Sequence, residues 1–188
     1  MPITKVVILM GSRNPDGHTG RAAKALMEGL AERGVQAEQI WLLEHNLERC
    51  MQRGIDGFGG CLAEGHCLIQ DDFGAIVERI RAAELVVFAT PVYWGDLSEI
   101  TRAFLDRLRR TCLHEEGKRG IQGKMAVGLC VAGGGGGGAL NCADSLQRVL
   151  SHCEFDVLDV VPARRQNLDL KLEVLRATGR WLGERSAP

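Results

Sequence analysis

Three stretches of the sequence combine residue types suited to holding a small anionic, aromatic ligand. The first, Gly11-Ser12-Arg13-Asn14-Pro15-Asp16-Gly17-His18-Thr19, gathers two hydroxyls, a guanidinium, an amide and an imidazole among turn residues. Glycine lets the main chain approach an anion, and the free N–H groups where a helix begins point toward it. It is neither Gly-x-Gly-x-x-Gly nor a Gly-Lys-Ser/Thr loop, which argues against a dinucleotide fold and a nucleotide triphosphatase. Alone, it reads equally well as a polar turn capped by Thr19. The second stretch, Thr90-Pro91-Val92-Tyr93-Trp94-Gly95-Asp96, places the single Tyr beside one of three Trp in a chain that is 5% aromatic. Such a pair suits a flat ring needing apolar contact and a few directed hydrogen bonds; in isolation it would more simply cover the edge of a core. The third, Ala132 to Gly138, includes Gly133, Gly134 and Gly135, and its lack of Cβ atoms lets the backbone pass close to a ligand.

The flanking elements explain how such stretches would meet. Val6 to Met10, Leu85 to Ala89, Met125 to Val131 and Val157 to Val161 are short apolar runs ended by Gly or Pro or a turn, as expected of strands buried on both faces. Gln36 to Leu43 is a fifth, weaker strand. Between them, Thr19 to Arg33, a segment from Asp71-Asp72 to about Ala83, Leu97 to Arg110, Ala139 to His152 and Leu170 to Leu182 carry apolar residues at helical spacing. Strict βα alternation predicts right-handed crossovers and a parallel sheet covered on both faces. The fold class is therefore α/β, a flavodoxin-like three-layer sandwich with a five-stranded parallel sheet in the order 2-1-3-4-5. Its ligand belongs at the carboxyl ends of the strands beside the switch point, where the three stretches lie. A length of 188 residues with 45% apolar composition predicts one domain spanning 1–188.

Lys plus Arg number 23 against 24 Asp plus Glu, so no net field draws the chain to nucleic acid or to an anionic membrane. The first apolar run is too short to span a bilayer and lacks a signal-type cleavage site, which predicts a cytoplasmic protein. Seven cysteines in a reducing compartment are expected to be free, metal-bound or catalytic. Cys112, Cys130, Cys142 and Cys153 sit in apolar or helical text and read as small buried hydrophobes. Cys50, Cys61 and Cys67 share one segment and are candidate ligands. Asp106 and Arg107 fall in a helix, where charged residues usually form a solvated face, and read as a structural or subunit-contact pair.

Gly11-Ser12 with Arg13 and Thr19, Pro91-Val92-Tyr93-Trp94-Gly95, and Thr101-Arg102-Ala103-Phe104-Leu105-Asp106-Arg107 together resemble the NAD(P)H-dependent FMN reductase family of flavodoxin-like proteins, including its iron-sulfur flavoprotein branch. The resemblance runs along nearly the whole chain. It departs in two places: Arg102 stands where Lys is usual, and Asn14 stands where the family has its Arg, with Arg13 one place earlier. It implies FMN, with its phosphate held by Ser12, Arg13, Asn14, His18 and Thr19. The isoalloxazine ring would be contacted by Pro91, Val92, Tyr93, Trp94, Gly95, Gly133, Gly134 and Gly135. It further implies NAD(P)H as electron donor, an unidentified electron acceptor and a homodimer or homotetramer. No side chain is assigned a catalytic role, because the flavin carries the redox chemistry.

Two other readings use the same residues. One is a flavin electron carrier without nicotinamide chemistry. The other is an iron-sulfur or zinc module at Cys50, Cys61 and Cys67. The family's iron-sulfur branch uses a Cys-x₂-Cys-x₂-Cys-x₅-Cys type of pattern, of which Cys61 and Cys67 keep the last gap. Arg53 stands where a second cysteine would follow Cys50, and Gly54 to Gly60 looks inserted. A [4Fe–4S] cluster takes four thiolates and a zinc site a paired knuckle, so neither a cluster nor a tightly bound metal is expected.

Overall fold

The computed structural model describes residues 3–52 and 59–185. A parallel sheet runs β2 (Gln36–Trp41), β1 (Lys5–Met10), β3 (Leu85–Tyr93), β5 (Met125–Ala132), β6 (Asp156–Arg164), and a two-residue strand, β4 (Asp96–Leu97), turns back antiparallel onto β3. Apart from that inserted hairpin strand, this is the expected order. The helices are α1 (His18–Ala31), α2 (Gly60–Glu64), α3 (Phe73–Ala82), α4 (Glu99–Thr111), α5 (Glu115–Lys118), α6 (Ala139–His152) and α7 (Leu168–Gly183).

The period of two within β1 divides its apolar run between two cores. Val6, Ile8 and Met10 pack with Ala22, Leu26 and Leu30 of α1 and with Leu175 and Leu182 of α7. Val7 and Leu9 face the opposite layer, with Ile76 and Ile80 of α3, Phe104 and Leu108 of α4, and Leu146 and Leu150 of α6. Alternate residues of a strand point to opposite faces, so an unbroken apolar run marks a strand covered on both sides. Cys112, Cys130, Cys142 and Cys153 are all buried in the second core, as their surroundings in sequence implied.

β3 extends past Ala89, where the sequence suggested a loop. Pairing to β1 ends at Ala89, while Thr90 and Pro91 continue beside Cys130 and Val131 of β5. Pro91 is tolerated because the strand has lost one neighbour there, so its missing N–H removes no bond on that side. β2 shortens instead: Leu42 to Glu44 form a 3₁₀ turn. Arg53 and Gly54 to Phe58, which hold most of the stretch read as inserted, lie outside the described residues.

Candidate functional site

The chain reverses direction across the sheet between β1 and β3, which opens a crevice at their carboxyl ends. Gly11 enters it with its N–H bonded to Ala89 O at 2.8 Å. A Cβ on Gly11 would fall 1.9 Å from Thr101 Oγ1, so only glycine lets β1 end against α4. A buried hydroxyl cluster ties these elements together. Ser98 Oγ donates to Gly11 O at 2.9 Å and lies 2.9 Å from Thr101 Oγ1, while Thr90 Oγ1 accepts from the Ser98 N–H at 3.0 Å. Ser98 and Thr101 were missed by sequence reasoning, which ran the helix from Leu97. The available signal was Ser98 itself, a residue type favoured at the position just before a helix.

Within the first loop, Ser12 and Asn14 are partly self-contained. The Asn14 N–H donates to Ser12 Oγ at 3.3 Å, and the Asp16 N–H donates to Asn14 Oδ1 at 3.0 Å. α1 then starts without a capping side chain and without an acidic residue in its first turn. Thr19 is 3% exposed, and its hydroxyl has no partner among the described residues. An uncapped, acid-free helix start beside a free hydroxyl is a donor set that suits a phosphate. Arg13 is exposed and turned toward a cavity on the α4 side. His18 approaches the third stretch: a Cβ on Gly133 would lie 3.9 Å from its Cδ2.

Tyr93 and Trp94 occupy a tight hairpin and not an open loop. Val92 pairs with Leu97 and Tyr93 with Asp96, leaving Trp94 (φ 52°) and Gly95 (φ 78°) as the two central residues. Positive φ at both marks a type I′ turn, in which Gly is comfortable and Trp is strained. The Trp94 side chain is fully exposed, at 105%, and Tyr93 is 52% exposed. The hairpin is anchored to α4 by Arg102, whose Nη2 lies 2.6 Å from both carboxylate oxygens of Asp96. Burial alone would raise the Asp96 carboxyl, but the Arg102 hydrogen bond and the Leu97 N–H hold it below its ordinary 3.8.

The glycine tract closes on this hairpin. Gly138 (φ 78°) would place a Cβ 2.4 Å from Gly95 Cα, so the two backbones touch. Gln166 Nε2 donates to Gly135 O at 3.0 Å, fixing the tract from the end of β6. Above Gly134, Gly135 and Gly137 an added Cβ meets nothing within 4 Å, so that backbone faces open space. The three stretches thus come together at the carboxyl ends of the strands, with the hydroxyls and helix start of the first loop on one side and the aromatic hairpin and Cβ-free backbone on the other. This arrangement fits a phosphorylated flat heterocycle such as FMN.

A sequence profile described as NADPH-dependent FMN reductase matches residues 4–166. The chain belongs to the NADPH-dependent FMN reductase family. An iron-sulfur flavoprotein of Methanocaldococcus jannaschii is 30% identical over 130 residues, covering 69% of this chain and 65% of its own length. A Bacillus subtilis protein named as an NAD(P)H-dependent FMN-containing oxidoreductase is 28% identical over 109 residues, covering 57% of this chain and 53% of its own length. The alignments span 45% to 66% of the length of these and two further iron-sulfur flavoproteins. Among solved structures, the NAD(P)H:quinone oxidoreductase of Methanothermobacter marburgensis superposes with a TM-score of 0.68 at 23% identity, over 95% of this chain and 98% of that one. That likeness supports the flavodoxin-like fold.

Behind these loops the charged and sulfur residues form a buried clamp. Arg107 is no solvated helix residue. It is 1% exposed and forms a two-point pair with Asp71, whose side chain is also fully buried, at 2.6 and 2.8 Å. It also stacks 4.2 Å from the centre of the Phe73 ring. Asp106 pairs instead with Arg109 at the surface. The same clamp grips both ends of one residue, Glu48: Arg107 Nη1 donates to its carbonyl at 2.9 Å, and Asp71 Oδ2 accepts its N–H at 2.8 Å. Cys67 is engaged too, with Sγ 3.3 Å from Arg107 Nη2. Cys50, Cys61 and Cys67 are each half-buried, and burial pushes the Cys61 thiol above its ordinary 9.0 against the pull of Arg110. Among the described residues, no group of three His, Cys, Asp or Glu side chains gathers as a metal site. No described helix is long and apolar enough to cross a membrane.

Proposed function

We propose that this member of the family is an oxidoreductase that holds FMN in the groove between its three loops and passes reducing equivalents from NAD(P)H to a small-molecule or protein acceptor. The observation that carries this reading is the meeting of an uncapped, acid-free helix start at His18 and Thr19 with a Cβ-free backbone that closes on the Trp94-Gly95 turn. Thr19, Ser12 and the first N–H groups of α1, with Arg13, Asn14 and His18 around them, hold the phosphate. Backbone groups from Pro91 to Gly95 and from Gly133 to Gly135 meet the ring and fix its orientation. When bound, FMN supplies hydride acceptance from the nicotinamide and release of one or two electrons. The protein's part is to bind, orient and tune, and no side chain of this groove need carry a proton. The exposed Tyr93 and Trp94 leave the ring's end of the groove open on one side, which favours completion by a second subunit in a homodimer or homotetramer. A single domain in the cytoplasm completes the reading.

The test is anaerobic mixing of FMN-loaded protein with NADPH and, separately, NADH. Bleaching of the flavin absorbance within minutes is expected with at least one of them. Bleaching by dithionite alone would make the chain an electron carrier, and failure to take up FMN would remove the proposal entirely.

A further inference from the structure

Beside the proposed flavin groove lies a cavity of about 340 Å³, on the α4 side of the β3–β4 hairpin. It shares Gly11, Arg13 and Tyr93 with the groove's border but is lined by neither Thr19, the Trp94-Gly95 turn nor the glycine tract. Leu43, Leu47 and Ile100 give it apolar walls, and Arg13 and Arg49 bring two guanidinium groups to it. Neither arginine has an ion-pair or hydrogen-bond partner through its side chain among the described residues. The carboxylate of Glu99 is the opposing charge on the lining, so the cavity carries net positive charge.

The walls are held from behind. Leu47 and Arg49 flank Glu48, whose N–H and carbonyl are gripped by the buried Asp71–Arg107 pair. A fully buried ion pair is expensive to desolvate, and here it holds both peptide units of the residue that lies between a leucine and an arginine on the same cavity. Ser98, buried and bonded to Gly11 O, fixes the floor at the start of α4. Apolar walls of this size with a few placed polar groups are the ordinary make-up of a small-molecule site. Guanidinium groups select carboxylate, sulfonate or phosphate, and stack well against flat rings.

We propose that this cavity is a binding subsite for a flat aromatic anion, adjoining the flavin groove, with Arg49 meeting the acid group and Leu47 and Ile100 the ring. Its place in turnover rests on the proposed oxidoreductase reading; its ligand class does not. The shared chemistry has two sources in such a reaction: the 2′-phosphoadenosine half of NADPH, or an acidic aromatic electron acceptor. Either would give Arg49, which no described residue partners through its side chain, an acid group to meet.

Two probes separate the sources: adenosine 2′,5′-bisphosphate and 1,4-naphthoquinone-2-sulfonate, each titrated calorimetrically into FMN-free and FMN-loaded protein. Adenosine and 2-methyl-1,4-naphthoquinone serve as uncharged controls. At least one anion is expected to bind at one site per chain, in both forms of the protein, about tenfold or more tighter than its control. Arg49→Gln, a surface change, should erase that preference. Ile100→Trp should fill the cavity and abolish probe binding while FMN affinity, read by flavin fluorescence, is kept. Binding of neither anion, competition of both with FMN, or indifference to Arg49→Gln would overturn the proposal. A chain that takes up no FMN yet binds an anion through Arg49 would sink the oxidoreductase reading and leave the subsite standing.

Discussion

Thr19 is buried in the first turn of α1, with a hydroxyl that no described residue satisfies. Replacing it with Val keeps the shape and removes only the donor, so the fold should be untouched. Loss of one hydrogen bond to a charged group is worth about 1.5 to 3 kcal/mol. Thr19→Val is therefore expected to weaken FMN binding by roughly ten- to a hundredfold, measured by quenching of flavin fluorescence; an unchanged affinity would remove Thr19 from the phosphate site. Gly11 is constrained by contact and not by dihedral angle. Gly11→Ala drives a methyl to within 1.9 Å of Thr101 Oγ1 and into the Ser98 cluster. Overpacking of this kind costs about 1 to 3 kcal/mol, which urea denaturation would register as a lower midpoint. At Trp94 the strain already exists, since a bulky residue holds φ at 52° with its ring in solvent. Strain at a site-lining turn is the kind of feature a local sequence rule does not anticipate.

The sheet order could be read from the chain because each apolar run was long enough to need cover on both faces, and the helical windows between them left only crossover connections. The β3–β4 hairpin could not. Gly95 is a common second residue of a tight turn, but Trp94 is a rare first one, and Pro91 argued that the strand had already ended. The three stretches that meet at the ends of the strands were legible from composition; the clamp behind them was not. Arg107 lies seven residues after Ile100 and three after Phe104, on the buried stripe of α4, so its position was the available signal against its charge. Its partner Asp71 is pushed up by burial, yet the hydrogen bonds from Arg107 and from the Glu48 and Phe73 amides outweigh that and hold its carboxyl below 3.8. A depressed folded pKa means the stabilisation is complete above that ordinary value and is lost as pH falls through the folded one. Asp71→Asn, which strands a buried guanidinium, should cost about 3 to 5 kcal/mol at neutral pH. The gap to wild type should stay constant from pH 7 to about 5 and shrink below about 4. A gap that grows on acidification would show that Asp71 is not the ionised partner. Replacing both residues, with Arg107→Met and Asp71→Leu, should cost less than Asp71→Asn alone.

The segment joining β2 to α3 sets this chain apart from its iron-sulfur relatives at the scale of the element. Ten residues lie between Cys50 and Cys61, and Cys67 leans on a guanidinium that already serves Asp71. Anaerobically purified protein is expected to contain well under stoichiometric iron and acid-labile sulfide. Near-stoichiometric amounts of both, lost on Cys61→Ser or Cys67→Ser, would make it an iron-sulfur flavoprotein instead.

At the scale of the molecule, the two cores share one sheet, so neither helical layer can lose its packing without exposing a face of every central strand. Loss of either layer is coupled to loss of the other, which is the condition for a single cooperative transition. The proposed flavin groove spans that same unit: its phosphate end is the start of α1, packed on one face, and its ring end is the hairpin anchored through Arg102 to α4 on the other. A ligand bridging the two layers binds only when both are in place, so it should stabilise the whole transition and not a fraction of it. At FMN a hundredfold above its Kd this stabilisation is about 2.7 kcal/mol, which for a chain of this size is a rise in Tm of roughly 5 to 10 °C. Calorimetric scans with and without FMN should therefore show one transition that moves as a unit. Two transitions, of which FMN shifts only one, would mean that the layers unfold separately and that the groove belongs to one of them.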